Sequence, residues 1–318
     1  EIIKNYPNSP YLLDALSGIQ YCYSIQGKDD EAVKVISDFI QRNPDHKSTP
    51  SLLLLKGEFL LGQKKYDEAI KTFETIISKY PQFELIPNAK YNIARCYLEM
   101  MNYDLAIKNF QFIFENYKNH SLAPNSLLQI GQIYQSKMEN KKAIDYYRKV
   151  VDNYPSQDIS AEALFYIGKI YLNNKDTLNA EKSFIHSSSF VNNVFADRSK
   201  IELAAIYLNK KEKNKAIEII ESVASSRTDN IGAEAQFRLG EIYFNEGNYK
   251  QAITEFMRIK YIFPKESDLV ALPGTEGLYG SRIQRARTGD GVGNRGNLEG
   301  SREPAIGRQG NSQRVSVR

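Results

Sequence analysis

The 318-residue chain has two cysteines, three histidines and no long apolar run. Each scarcity excludes something. His46, His120 and His186 are widely separated, and no Cys/His spacing resembles a zinc site, so the sequence predicts no metal. No stretch approaches the roughly 18 apolar residues of a membrane-spanning helix. Charge of one sign is missing too. Residues 1–265 carry 27 Lys and 7 Arg against 32 acids, a net of +2, which gives no electrostatic case for a nucleic-acid partner. Catalysis needs convergent acids, bases or nucleophiles. The abundant Asp and Glu instead follow solvated helix positions, so no catalytic residue, cofactor site or small-molecule substrate is expected.

What the chain does have is a period. Ala32, Ala69, Ala106, Ala143, Ala180, Ala216 and Ala252 stand in register, at steps of 37, 37, 37, 37, 36 and 36 residues. Such regularity means one supersecondary unit, repeated and stacked. The neighbours keep phase. Twelve before the alanines stand Gln20, Gly57, Ala94, Gly131, Gly168, Ala204 and Gly240; nine before, Tyr23, Leu60, Tyr97, Tyr134, Tyr171, Tyr207 and Tyr243. Four after come Ile36, Phe73, Phe110, Tyr147, Phe184, Ile220 and Phe256; twelve after, four of seven are proline. Within each half-unit apolar residues recur at three- and four-residue steps, as in Ile130, Ile133 and Tyr134. Each unit therefore reads as two amphipathic helices with a polar break, marked by Gly27 in the first unit and Gly247-Asn248 in the last. Small residues let the two helices approach closely, and proline ends the second helix.

The last unit spells the pattern most fully, from Ala235-Gln236-Phe237-Arg238-Leu239-Gly240-Glu241-Ile242-Tyr243 through Gly247-Asn248-Tyr249, Ala252 and Phe256 to Pro264. This resembles the tetratricopeptide repeat, over residues 1 to about 265. Tyr80-Pro81 with Ala89, and Tyr154-Pro155 with Ala161 and Ala163, resemble the bacterial cell-envelope variety. The resemblance implies an all-α right-handed superhelical solenoid of antiparallel helix pairs. It also implies a non-catalytic scaffold that binds a protein or peptide on its concave face. The rival is a regulatory or substrate-recruiting arm of a larger enzyme whose catalytic domain lies elsewhere.

The alanine ruler sets the expected organisation: a half repeat at 1–9, seven helix pairs to residue 265, and a distinct segment from 266 to 318. That segment has no Lys, eight Arg and ten of the 19 glycines, and the alanine due near residue 288 does not arrive. It reads as a disordered tail of frameshifted or chimeric origin. Its Gly291-Val292-Gly293-Asn294-Arg295-Gly296 spells a dinucleotide fingerprint without the strand and helix that the chemistry requires. The opening half repeat predicts that the native chain starts earlier. Cys22 and Cys96 both stand ten before an anchor alanine. Both are expected in the core, two repeats apart and too distant to pair.

The first helices are expected to line the concave face. Their offsets 18, 15, 11 and 7 or 8 before the alanine lie to one side. Candidate partner-binding residues are Tyr91 at the second of these, Arg95, Gln132, Lys169 and Glu241 at the third, and Asn173, Asn209 and Asn245 at the last. Aromatics supply rigid apolar area, and amides pair with peptide backbone. The plainer alternatives are that Tyr91 packs between helices and that the asparagines end the first helix.

Overall fold

The computed structural model describes residues 9–263, so the half repeat placed at 1–9 falls almost wholly outside them and the segment 266–318 entirely so. The described residues form fourteen helices and no strand. They make seven pairs in chain order. Pair 1 is α1 (Leu12–Ile25) with α2 (Asp29–Arg42), and pair 2 is α3 (Thr49–Gly62) with α4 (Tyr66–Lys79). Pair 3 is α5 (Ile86–Glu99) with α6 (Tyr103–Asn116), and pair 4 is α7 (Leu122–Ser136) with α8 (Asn140–Asn153). Pair 5 is α9 (Asp158–Asn173) with α10 (Thr177–Ser188). Pair 6 is α11 (Val194–Asn209) with α12 (Lys213–Ser226), and pair 7 is α13 (Asn230–Asn245) with α14 (Tyr249–Ile262).

All seven anchor alanines are buried. The small residue twelve before has a more specific role than letting two backbones approach. A Cβ on Gly57, Gly131, Gly168 or Gly240 would come within 2.4–2.5 Å of the ring of Phe73, Tyr147, Phe184 or Phe256. The aromatic four after the alanine therefore lies across the glycine of its own pair. Where the first helix has Ala204, the second offers Ile220 in place of a ring.

The turn inside each pair is equally regular. The residue five before every alanine has a positive φ: Gly27, Lys64, Met101, Met138, Lys175, Lys211 and Gly247, between 58° and 75°. Glycine adopts this conformation without strain, and the other five residues do not. The next residue caps the second helix in three pairs, where Asn102, Asp176 and Asn248 accept from a backbone N–H.

Successive pairs share cores. Cys96 packs with Leu60, Ala69 and Phe73 of pair 2, and Ile133 with Ala106 and Phe110 of pair 3. The position ten before the alanine thus faces the preceding pair. This explains why one expectation fails. Cys96 is buried, and its thiol is pushed up to about 11 by burial. Cys22 is exposed, because no pair precedes α1 among the described residues. Both thiols are free.

First helices of neighbouring pairs touch along the whole array, whereas second helices meet through the first helix between them. Neighbouring pairs are therefore closer on the first-helix side. One junction is braced by charge. Buried Asp197 accepts from Lys200 at 2.9 Å and from Arg227 at 3.0 Å, and Arg227 also grips Asp229, the N-cap of α13. That guanidinium holds the Asp229 carboxyl at about 2, well below its ordinary value.

Candidate partner-binding face

The first helices of neighbouring pairs lie side by side, and their side chains follow a rule between pairs. The residue eleven before one alanine lies beside the residue fourteen before the next. Asn92 Nδ2 donates to Glu58 Oε1 at 3.1 Å. Lys169 Nζ donates to Glu202 Oε1 at 2.8 Å. Gln132 and Glu162 both lie near enough to the Tyr166 hydroxyl to influence its ionisation. These are rungs of a ladder that runs along α3, α5, α7, α9 and α11. Helical geometry sets the spacing, since offsets three or four apart share a face.

The electrostatics follow from partial burial. Desolvation raises Glu58 and Glu162 above the usual carboxylate range. Tyr166 is pushed up to about 12, mainly by burial and further by Glu162. Around it lies an aromatic patch: Tyr166 stacks on Tyr147 at 5.5 Å, Phe195 stands 5.9 Å from Tyr166, and Arg198 lies over Phe195.

The structure distributes the candidate residues unevenly. Arg95 is exposed and donates to Asn92 Oδ1 at 3.2 Å. Gln132 and Lys169 are half-buried rungs. Glu241 accepts from Arg238 at 3.2 Å, which also pairs with Glu234. Tyr91 is half-buried, with its ring edge-on to Phe110 at 5.2 Å. Its neighbours at the same offset, Phe165 and Phe237, pack similarly on Phe184 and Phe256. Asn173, Asn209 and Asn245 are exposed and are the last residues of α9, α11 and α13, which matches the plainer reading of helix ends. The row fourteen before the alanine was missed by the sequence reading: Asn92, Tyr166, Glu202 and Arg238 take part in the face. Its signal was present, as polar residues of complementary chemistry 33 or 34 positions apart.

His46 and His120 accept through Nδ1 from the backbone N–H of Ser48 and Leu122 at the start of the next helix. Among the described residues no group of three or more His, Cys, Asp or Glu is arranged to hold a metal ion, and no helix is long and apolar enough to cross a membrane. A cavity of 610 Å³ lies on the second-helix side, lined by Glu74, Lys90, Tyr97, Lys108 and Phe112 among others. Lys90 reaches over the Phe112 ring within it, 4.9 Å from the centroid.

The fold and this face define an α-helical repeat protein whose paired helices present a polar first-helix surface. Parts of the array are similar to the tetratricopeptide repeat. Tetratricopeptide-repeat family models match residues 85–156, 51–82 and 234–266. Such repeats are protein–protein interaction scaffolds and typically non-catalytic modules, and neither matched model is of a catalytic family. No curated protein sequence matches the chain. Similar solved structures include a tetratricopeptide repeat protein from Parabacteroides merdae, 16% identical, covering 78% of this chain and 92% of that one with a TM-score of 0.46. MamA from Desulfovibrio magneticus RS-1 is 18% identical, with coverage of 55% and 92% and a TM-score of 0.41. IFIT1, solved with m7Gppp-AAAA, is 16% identical, with coverage of 80% and 55% and a TM-score of 0.48.

Proposed function

We propose that this chain is a non-catalytic scaffold that holds a protein or peptide partner along its first-helix face. One observation carries the reading. The packing offsets repeat from pair to pair, while no residue type recurs between neighbouring pairs at the offsets eleven and fourteen before the alanine. Packing does not require this variety, and a partner with a defined sequence does. The open shape and the mix of amide, charged and aromatic groups suit a polypeptide better than a small molecule. The Tyr80-Pro81 and Tyr154-Pro155 spelling supports a place in bacterial envelope assembly, and fractionation finding the full-length protein only in cytosol would remove it.

The test is selection of binders from a displayed library of short random peptides, using the full chain. Substitutions on the first-helix face, Tyr166→Ala or Lys169→Glu, should abolish binding of the selected peptides. The second-helix substitution Lys182→Glu should leave it intact. Peptides indifferent to both first-helix changes would show that the array only spaces other domains.

A further inference from the structure

Two residues break the period, and they meet. Sixteen before the anchor alanine stand Leu16, Leu53, Lys90, Leu127, Leu164, Lys200 and Gln236. The four leucines are buried or half-buried, so this offset belongs to the packing. Where pairs 6 and 7 put a polar group there, each supplies a partner: Lys200 pairs with Asp197, and Gln236 donates to Glu255. Lys90 differs from both. Among the described residues no carboxylate lies within ion-pair distance of it, and the Glu74 charge acts on it from farther off. Its Nζ lies over the ring of Phe112, 4.9 Å from the centroid. Phe112 stands six after the alanine, where the other pairs have Asp38, Thr75, Lys149, His186, Ser222 and Arg258. A ring at that offset departs from the array as far as a lysine does at the other.

Both residues line the 610 Å³ cavity. Glu74 reaches it from α4, Lys90, Ile93 and Tyr97 from α5, and Ile107, Lys108 and Phe112 from α6. Its volume is that of a small-molecule site, and Ile93, Ile107, Tyr97 and Phe112 give it apolar and aromatic walls. The charged groups that line it are Glu74, Asp104 and Glu115 against Lys90 and Lys108, an excess of acid that disfavours an anion. Burial lowers the Lys90 pKa and Lys108 pushes it the same way, while Glu74 opposes them. Lys90 is half-buried, and an amine placed so gives up its proton more readily and becomes a nucleophile.

We infer that this cavity is a binding site for a neutral aromatic aldehyde, which Lys90 captures as an imine. Phe112 and Tyr97 offer rings for the aldehyde's own ring to pack against. Lys90 Nζ attacks the carbonyl carbon and the C–N bond forms. The carbonyl oxygen then leaves as water, carrying both hydrogens of the neutral amine. Nothing is oxidised or reduced, and hydrolysis returns the free lysine. The site uses other offsets than the polar rungs of the first-helix face, and it requires no peptide there.

Benzaldehyde is the probe. With cyanoborohydride present, each imine formed on the full chain is fixed as a benzylamine, and peptide mapping by mass spectrometry locates it. At neutral pH Lys90 should be labelled about tenfold faster than the exposed Lys71 and Lys108, and its rate should saturate with aldehyde. The preference should vanish in urea. Phe112→Ser installs the residue that pair 6 carries as Ser222, and it should bring Lys90 down to the rate of the exposed lysines while the melting curve stays cooperative. Glyoxylate, whose carboxylate meets the acidic lining, should show no preference for Lys90. Lys90 labelled no faster than Lys108 would overturn the inference. So would a preference that survived Phe112→Ser and was equal for glyoxylate, since it would mark a reactive amine without a binding site.

Discussion

Pairs 3 and 4 and pairs 5 and 6 present the same helix positions to the same face, yet use them differently. In the later region the Lys169 and Glu202 charges face each other at 2.8 Å across the junction. In the earlier region Arg95 faces Gln129, and neither is bonded to the other. Beneath both regions the packing is alike, with Gly131 under Tyr147 and Gly168 under Phe184. The difference shows how one repeated frame separates two tasks. Positions pointing between helices are held by volume and repeat. Positions pointing outward follow the chemistry of the facing helix, joined at Lys169 and Glu202 and unjoined at Arg95 and Gln129.

The sharpest way to break this comparison is to disturb what the regions share. Gly131→Leu and Gly168→Leu should each cost about 2–3 kcal/mol, because the new side chain would enter a ring already in contact. Thermal melts should show similar losses. Ala94, buried against Phe110, indicates that one methyl can be accommodated, so leucine is the decisive substitution. A tolerated Gly131→Leu beside a destabilising Gly168→Leu would mean that the regions do not pack alike.

The next effect separates the regions. Lys169→Ala leaves Glu202 without its partner in a half-buried position and should cost about 1 kcal/mol. Arg95→Ala, at the open rung, should change stability by less than about 0.5 kcal/mol. Equal losses in chemical denaturation would show that Arg95 braces the stack as Lys169 does. A third effect lies in the turns, where both regions pay strain. Met138→Gly and Lys175→Gly relieve a positive φ in pairs 4 and 5 and should each stabilise by about 0.5–1 kcal/mol. Loss of stability at either would show that the side chain contributes more than the backbone strain costs.

Much of this frame was legible because packing imposes a period. Ala106, Phe110 and Gly131 announce their roles by recurrence, and the pair boundaries follow. Three features were not legible, each for a physical reason. The exposure of Cys22 depends on what precedes α1, while its sequence position matches that of buried Cys96. The left-handed turn residue is glycine in only two of seven pairs, so Lys64 or Met101 gives no sign of it. The row fourteen before the alanine was not legible beside the row fifteen before it. Tyr91 and Asn92 are neighbours on α5, but the former turns toward Phe110 and the latter toward Glu58. A period locates a helix face to within a turn, whereas the contact between two helices decides which of two adjacent residues belongs to it.

The smallest effect concerns a carboxylate that the later region tolerates. Glu162 lies near the Tyr166 hydroxyl, and burial raises its pKa above the ordinary 4.5. A raised carboxylate binds its proton more tightly in the folded chain than in the unfolded one. Its penalty is thus complete above the folded pKa, shrinks as pH falls, and is absent below about 4.5. Glu162→Gln removes the titrating group and keeps an acceptor for Tyr166. The variant should melt about 1–2 °C higher than the parent at neutral pH, and the two should converge near pH 4. A gain that persisted unchanged at pH 4 would come from packing or hydrogen bonding instead of desolvated charge, and the electrostatic contrast between the two regions would then rest on the Lys169–Glu202 rung alone.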